Sequence, residues 1–498
     1  MKKFKIGFAS LAFALLAGIA AASCSEPAGV IGADAQASGI EPMENGSFGP
    51  TPENAALPDI DLGGAEFMFA TRSYEHGAGM FESRELYAEE QNGDSINDAV
   101  YARNLSIEEK YNCAIKENKL TLPAGSIKNS LKAGDGTYDA VLDSAMYLRP
   151  LAEEMLLADM SELEYANLEN SYWDQGAVEG FTIGGSLYFC VGELNIMAKD
   201  CTWVTLFNKK AAEDFAMPNF YQLVRDGKWT LDIFHQCAKD ATKDLDGDGE
   251  MTESDQWGHA GEYYNFFVHM IGCGARYSMK NEKDYPEAAI YTDKNIAIAD
   301  KVFSVMADQR TTVLANDYAG KYPQPWHEVT FRAFEESRVL FLVSGLVTVT
   351  YNFRDMETPF GVLPIPKWDE SQEKYYATVS MGNMSAVAIS ASGDKVVETA
   401  FVVEALQAVS LATLKEAYYD VTLTHKGLRD DDSKEMLDLV FQNRVYDTAM
   451  VYDWGGWMNI FHNICKTKKN TFASDYEKME DKINNALEQM VSQYAKTK

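Results

Sequence analysis

The stretch from Ala65 to Leu142 constrains the fold more than any other part of the chain, because within it short apolar runs alternate with helix-length ones. Ala65 to Thr71 reads as a strand. A polar segment from Glu75 through Gly93 then leads to a helix over about Ile96 to Lys110, and Cys113 to Ile115 reads as a second strand. A helix near Ser126 to Ala133 gives way through Gly134-Asp135-Gly136 to a third strand at Tyr138 to Leu142. Strands separated by helices pair in parallel, since each helix carries the chain back along the sheet, and the product is an α/β sandwich. Ligands of such sheets bind beyond the carboxyl ends of the strands, which makes Arg72, Ser73, Asp143 and Ser144 cleft candidates.

Further strands are predicted at Ser186 to Val191, Val204 to Phe207, Val339 to Leu342 and Phe360 to Leu363, with a mostly helical region over about Ala211 to Arg338. At the C-terminus Ser474 and Glu477 form a capping box for a helix whose apolar face is Met479, Ile483, Leu487, Met490 and Tyr494. About 440 residues follow position 58, too many for one hydrophobic core, so the folded part divides into two lobes with two excursions between them. The expected boundaries are 59–204 with 350–395 for the N-terminal lobe and 205–349 with 396–498 for the C-terminal lobe.

Residues 1–23 carry the pattern of a lipoprotein export signal. Lys2, Lys3 and Lys5 precede an apolar run from Ile6 to Ala22, which is short for a membrane span, and small residues precede Cys24. The expectation is that Cys24 is diacylated and becomes the mature N-terminus. From 24 to 58 the chain is rich in Gly, Ala, Pro, Ser and Glu without apolar periodicity, which predicts a disordered tether. The expected address is the extracellular face of the cell membrane, held by lipid. Loss of Lys2, Lys3 and Lys5 with the signal takes the formal charge from −31 to −34, and the absence of a basic face argues against a nucleic-acid partner.

Asp244-Leu245-Asp246-Gly247-Asp248-Gly249-Glu250-Met251-Thr252-Glu253-Ser254-Asp255 matches a calcium loop. Carboxylates stand at positions one, three and five, Gly at six permits the sharp turn, Glu250 at seven offers a carbonyl, and Asp255 closes at twelve. Asp255 replaces the usual longer Glu, so Glu253 is an alternative closing ligand. No helix is evident after Gln256-Trp257-Gly258, which points to one structural Ca²⁺ rather than a sensor pair.

Eight tryptophans form the second constellation. Trp173 in Asn170 to Gln175, and Trp454 and Trp457 in Asp453 to Trp457, stand beside amides and carboxylates. Flat apolar faces next to polar groups meet the ring face and hydroxyl edge of a sugar, although aromatic residues also fill cores. Trp229, next to a helix N-cap at Thr230, is assigned to the core. The chain has no GxSxG, HExxH or Gly-rich phosphate loop, so catalysis has no motif behind it; a close carboxylate pair of the glycosidase kind remains open among 75 acids. The six cysteines beyond Cys24 form no CxxC pair and define no connectivity.

These residues resemble extracellular solute-binding proteins of the carbohydrate ABC-importer type, family 1. The likeness runs from about Ala65 to the C-terminus and rests on Leu206 to Lys210, Lys228 to Asp232, the Asp-rich loop at Asp244, Phe360 to Lys367, and Ser385 to Ser390. It implies a two-lobed periplasmic-binding-protein-like type II fold with hinge crossovers, closure around a ligand, and no enzymatic activity. It also implies an oligosaccharide ligand and ABC permease subunits as partners, and calcium loops of this kind occur in alginate-binding members. By position, Trp173, Trp326, Trp454 and Trp457 are the implied aromatic contacts, with Asp143 and Asn383 as polar ones. The alternatives are a lipid-anchored hydrolase or lyase acting on glycans, and a peptide or organic-solute receptor of the same fold.

Overall fold

The computed structural model describes residues 57–73, 79–424 and 430–496, all within one compact unit, Pro42–Lys498. The predicted signal peptide, Cys24 and nearly all of the predicted tether lie outside the described residues.

The first sheet grows from the opening alternation. Strands β1 (Ala65–Arg72), β2 (Cys113–Leu120) and β3 (Ala140–Asp143) are parallel, with β1 between the other two. The helix Ser95–Tyr111 joins β1 to β2; Asp94 caps it by accepting from the Asn97 amide. The helix Pro123–Ala133 joins β2 to β3, with Pro at its first turn and Gly134 ending it at φ 64°. The order β2-β1-β3 reverses direction at β1, and the carboxyl ends of β1 and β3 therefore flank a switch point.

The second sheet contains β4 (Trp203–Asn208), β5 (Trp257–Gly261), β6 (Thr312–Leu314), β7 (Val339–Gly345) and β8 (Phe360–Leu363), in the order β8-β4-β7-β5-β6. Every residue of β4 and β7 is buried, which explains why both read as continuous apolar runs instead of alternating ones. A last strand, β9 (Ala386–Ile389), returns to the first sheet antiparallel to β3. Two crossovers thus link the sheets, and they run side by side: Thr202 bridges Val379, the Ser380 amide donates to the Cys201 carbonyl at 2.9 Å, and the Leu346 amide donates to Thr202 at 3.0 Å.

Several expectations are corrected. The lobe boundaries at 204/205, 349/350 and 395/396 do not follow the strands. Trp203 and Val204 already belong to the second sheet, Phe360–Leu363 pairs there with β4, and the helix Val396–Ala412 packs on β9 and on Ser95–Tyr111 of the first. An apolar run states that it will be buried and leaves open which of two apolar sheets accepts it. The region 211–338 holds β5 and β6 as well as helices; Trp257-Gly258-His259-Ala260-Gly261 is too short and glycine-rich to announce itself as a strand. Ser186 to Val191 forms only single bridges, Cys190 to Val387 and Ile183 to Ser186, because it touches the edge of β9 at one residue. The C-terminal helix spans Phe472–Tyr494, one turn earlier than Ser474 suggests, with Phe472, Ile483, Met490 and Tyr494 buried. Among the described residues no single helix is long and apolar enough to cross a membrane, and the six described cysteines are free thiols.

Candidate functional site

The carboxyl ends of β1 and β3 carry Arg72 and Asp143, as expected, and there the two side chains neutralise each other. Asp143 Oδ1 accepts from Arg72 Nη2 at 2.6 Å and Nε at 3.1 Å, and its Oδ2 accepts from the Ala124 amide at 3.2 Å. Arg72 Nη1 donates to the Asn383 carbonyl at 2.7 Å and Nη2 to the Met384 carbonyl at 3.2 Å. Asp143 is fully buried and acts on the second crossover through Arg72. The pair holds the Ser380–Met384 turn.

That turn forms one wall of a cavity of about 470 Å³ between the two sheets, within the range of small-molecule sites. Met80 and Phe81, downstream of β1, extend the same wall. Opposite them stand Glu262 beyond β5, Ser344 and Gly345 at the end of β7, and Trp203 at the start of β4. The remaining wall is one π-helical turn, Trp326–Phe331. Its wider turn sets residues i, i+1, i+4 and i+5 on one side, and Trp326, His327, Thr330 and Phe331 all line the cavity. Trp326 is 39% exposed, and its indole N–H donates to Glu262 Oε2 at 2.5 Å. Trp203 packs at 5.3 Å from the Tyr264 ring.

Burial holds the Glu262 carboxyl above the usual carboxylate range, against the opposing pull of the Trp326 N–H. The backbone beneath Glu262 is built for position: Asn265 Oδ1 accepts from the Glu262 amide at 2.7 Å, and a Cβ on Gly261 would lie 1.8 Å from that same oxygen. Only glycine at 261 lets the carboxamide reach its donor.

Of the residues singled out in the sequence, Trp326 and Asn383 line the cavity and the other four do not. Trp173 donates from Nε1 to Glu404 Oε2 at 2.9 Å inside the core. Trp454 and Trp457 are buried under the C-terminal helix region; Trp457 donates to the Ala449 carbonyl at 3.0 Å and lies 4.5 Å from the Tyr277 ring. Sequence reasoning missed Trp203, Glu262, Phe81 and Phe331. Glu262 was findable, because the rule of strand carboxyl ends that selected Asp143 applies equally once Trp257–Gly261 is read as a strand.

The Asp-rich loop lies in the second lobe between the helix Leu231–Asp240 and β5, its base closed by the bridge of Lys243 to Gln256. Asp244, Asp246 and Asp255 bring carboxylate oxygens within 4.8 Å of one another; Asp248 and Glu250 stand outside that group. Glu253 is not a closing ligand here, since its carboxylate pairs with Lys321 and accepts from Tyr322 Oη at 2.6 Å. Amides of Gly249 and Gly247 donate to Asp244 and hold its carboxyl below the usual range. Three hard oxygen donors on a pre-shaped turn fit a calcium ion in type, with the remaining ligands to come from carbonyls and water.

No protein-family profile matches the chain, and no curated protein sequence matches it. Solved structures do. An ABC substrate-binding protein from Listeria monocytogenes in complex with cycloalternan superposes with a TM-score of 0.53 at 15% identity, over 86% of this chain and 99% of its own. A cyclo/maltodextrin-binding protein complexed with maltotetraose gives 0.54 at 14%, over 86% and 97%. The apo form of RafE from Streptococcus pneumoniae gives 0.52 at 14%, over 86% and 98%. The chain therefore has the two-lobed periplasmic-binding-protein-like fold.

Proposed function

We propose that this chain is the extracellular, lipid-anchored substrate-binding protein of an ABC importer, that it captures an oligosaccharide between its lobes, and that it delivers the sugar to the permease subunits. The observation that carries the reading is the cavity itself: an interlobe space at strand carboxyl ends, where the flat face of Trp326 stands beside the polar edges of Glu262, Ser344 and Asn383. Structures of the same fold were solved with cycloalternan and maltotetraose. Hinge bending about the paired crossovers would close the lobes on the ligand. Glycosidic hydrolysis takes two carboxylates a few ångströms apart, and among the described lining residues Glu262 is the one carboxylate, which favours capture over cleavage. The anchor at Cys24 rests on the sequence pattern.

A thermal-shift screen of residues 59–498 against neutral and charged oligosaccharides tests the reading, since a ligand of the native state raises the melting temperature. Trp326→Ala is expected to weaken glycan binding by about 2 kcal/mol, roughly 30-fold, with the melting temperature of the free protein almost unchanged. Unaltered affinity in that variant would remove Trp326 from the site.

We further propose that the Asp244 loop holds a structural Ca²⁺. Saturating calcium is expected to raise the melting temperature by a few degrees over chelator-treated protein. Asp244→Asn should abolish the difference; an equal response in wild type and variant would assign calcium binding elsewhere.

A further inference from the structure

The cavity carries one unanswered charge. Glu262 has no Lys, Arg or His within ion-pair distance among the described residues, and the one bond to its carboxylate is the Trp326 N–H on Oε2. Among the described lining residues there is no lysine or arginine, and the one basic side chain is His327, whose Nδ1 lies 3.3 Å from Asn352 Nδ2. The two arginines of the adjoining segments are already neutralised, Arg72 by Asp143 and Arg84 by Asp200 at 2.7 Å. An ionised carboxylate partly removed from water without a cation is costly; here Asn265 and Gly261 fix the backbone that carries it, and the Trp326 N–H fixes the carboxylate itself. Trp326, Trp203, Phe81 and Phe331 line the same cavity. Aromatic faces attract cations through their quadrupoles, and an adjacent carboxylate adds direct charge complementarity. The acid excess of the whole chain, −31 in formal charge, biases the cleft in the same direction.

We infer that the cargo presents an ammonium group to Glu262, so that the captured oligosaccharide bears a free amino sugar; this rests on the glycan reading above. Glu262 then supplies specificity in two ways. It accepts from the ammonium group of an amino sugar, and it repels the carboxylate of a uronic acid or the phosphate of a phosphorylated sugar, for which the described lining holds no lysine or arginine.

The test measures binding by titration calorimetry in near-neutral buffer, where the Glu262 carboxyl is ionised, with three probes: glucosamine oligosaccharides, their N-acetylated counterparts of equal length, and choline as a cation without a glycan. Wild type is expected to bind the amine-bearing series about tenfold more tightly than the acetylated series, and Glu262→Gln to bring the ratio near one, with its melting curve confirming a folded protein. Equal or tighter binding of the acetylated series by wild type overturns the inference, as does a preference that survives in E262Q. Choline binding that disappears in E262Q, with neither sugar series bound, upholds the cation site and sinks the glycan reading. Failure of all three probes to bind overturns the inference.

Discussion

Replacing Asp143 by Ala is expected to destabilise the protein by about 3–5 kcal/mol, because it removes the buried carboxylate that accepts two hydrogen bonds from the Arg72 guanidinium and one from the Ala124 amide. Arg72 is only 3% exposed and cannot swing into water without dragging the carboxyl end of β1 with it. The loss should appear in urea unfolding as a lower midpoint with an unchanged slope, since the surface exposed on unfolding is the same. The same substitution should also weaken ligand binding, because Arg72 holds the Asn383 and Met384 carbonyls and so the turn that walls the cavity. A double replacement of Arg72 and Asp143 by apolar residues of similar volume should recover much of the stability, as removing both charges removes the desolvation cost. A stability loss below about 1 kcal/mol in the single variant would mean that Asp143 is hydrated, and would restore it as a candidate ligand contact.

Replacing Trp457 by Ala is expected to cost about 3–5 kcal/mol as well, through a cavity the surrounding rings cannot fill. Trp457 is 0% exposed, with Tyr277, Phe267 and Phe461 rings around it at 4.5, 5.7 and 6.1 Å. Loss of its indole N–H would also remove one of two hydrogen bonds on the Ala449 carbonyl, which keeps the Asp453 amide at 2.9 Å. Glycan affinity of the folded fraction should stay unchanged. Trp457→Ala and Trp326→Ala therefore form an opposed pair, one losing stability without affinity and the other affinity without stability. A Trp457 variant that keeps its melting temperature but loses binding would place that ring in the site and overturn its assignment to the core.

The contrast between those two tryptophans shows where sequence reading reached its limit. Both stand among polar neighbours, and local composition treats them alike. Trp457 follows a tight turn, with Asp453 at φ 42° and Gly455 at φ 66°, that folds it beneath the C-terminal helix; Trp326 begins a π-helical turn that faces the cavity. Whether a ring is covered depends on which distant element lies over it, and no local pattern states that.

What the sequence determined by itself was local and periodic. The alternation from Ala65 to Leu142 dictated three strands paired in parallel, since each intervening helix carries the chain back along the sheet. The Asp-rich spacing dictated a turn that gathers Asp244, Asp246 and Asp255, and the rule of strand carboxyl ends led to Arg72 and Asp143. Tertiary structure alone decided how those groups are used: that Arg72 and Asp143 cancel each other, that β8 joins β4 while β9 joins β3, and that Glu262 faces Trp326 with no ion-pair partner among the described residues. Each of these is a pairing between residues far apart in the chain, and the energy of such a pairing depends on the geometry that brings the partners together, which periodicity and composition do not encode.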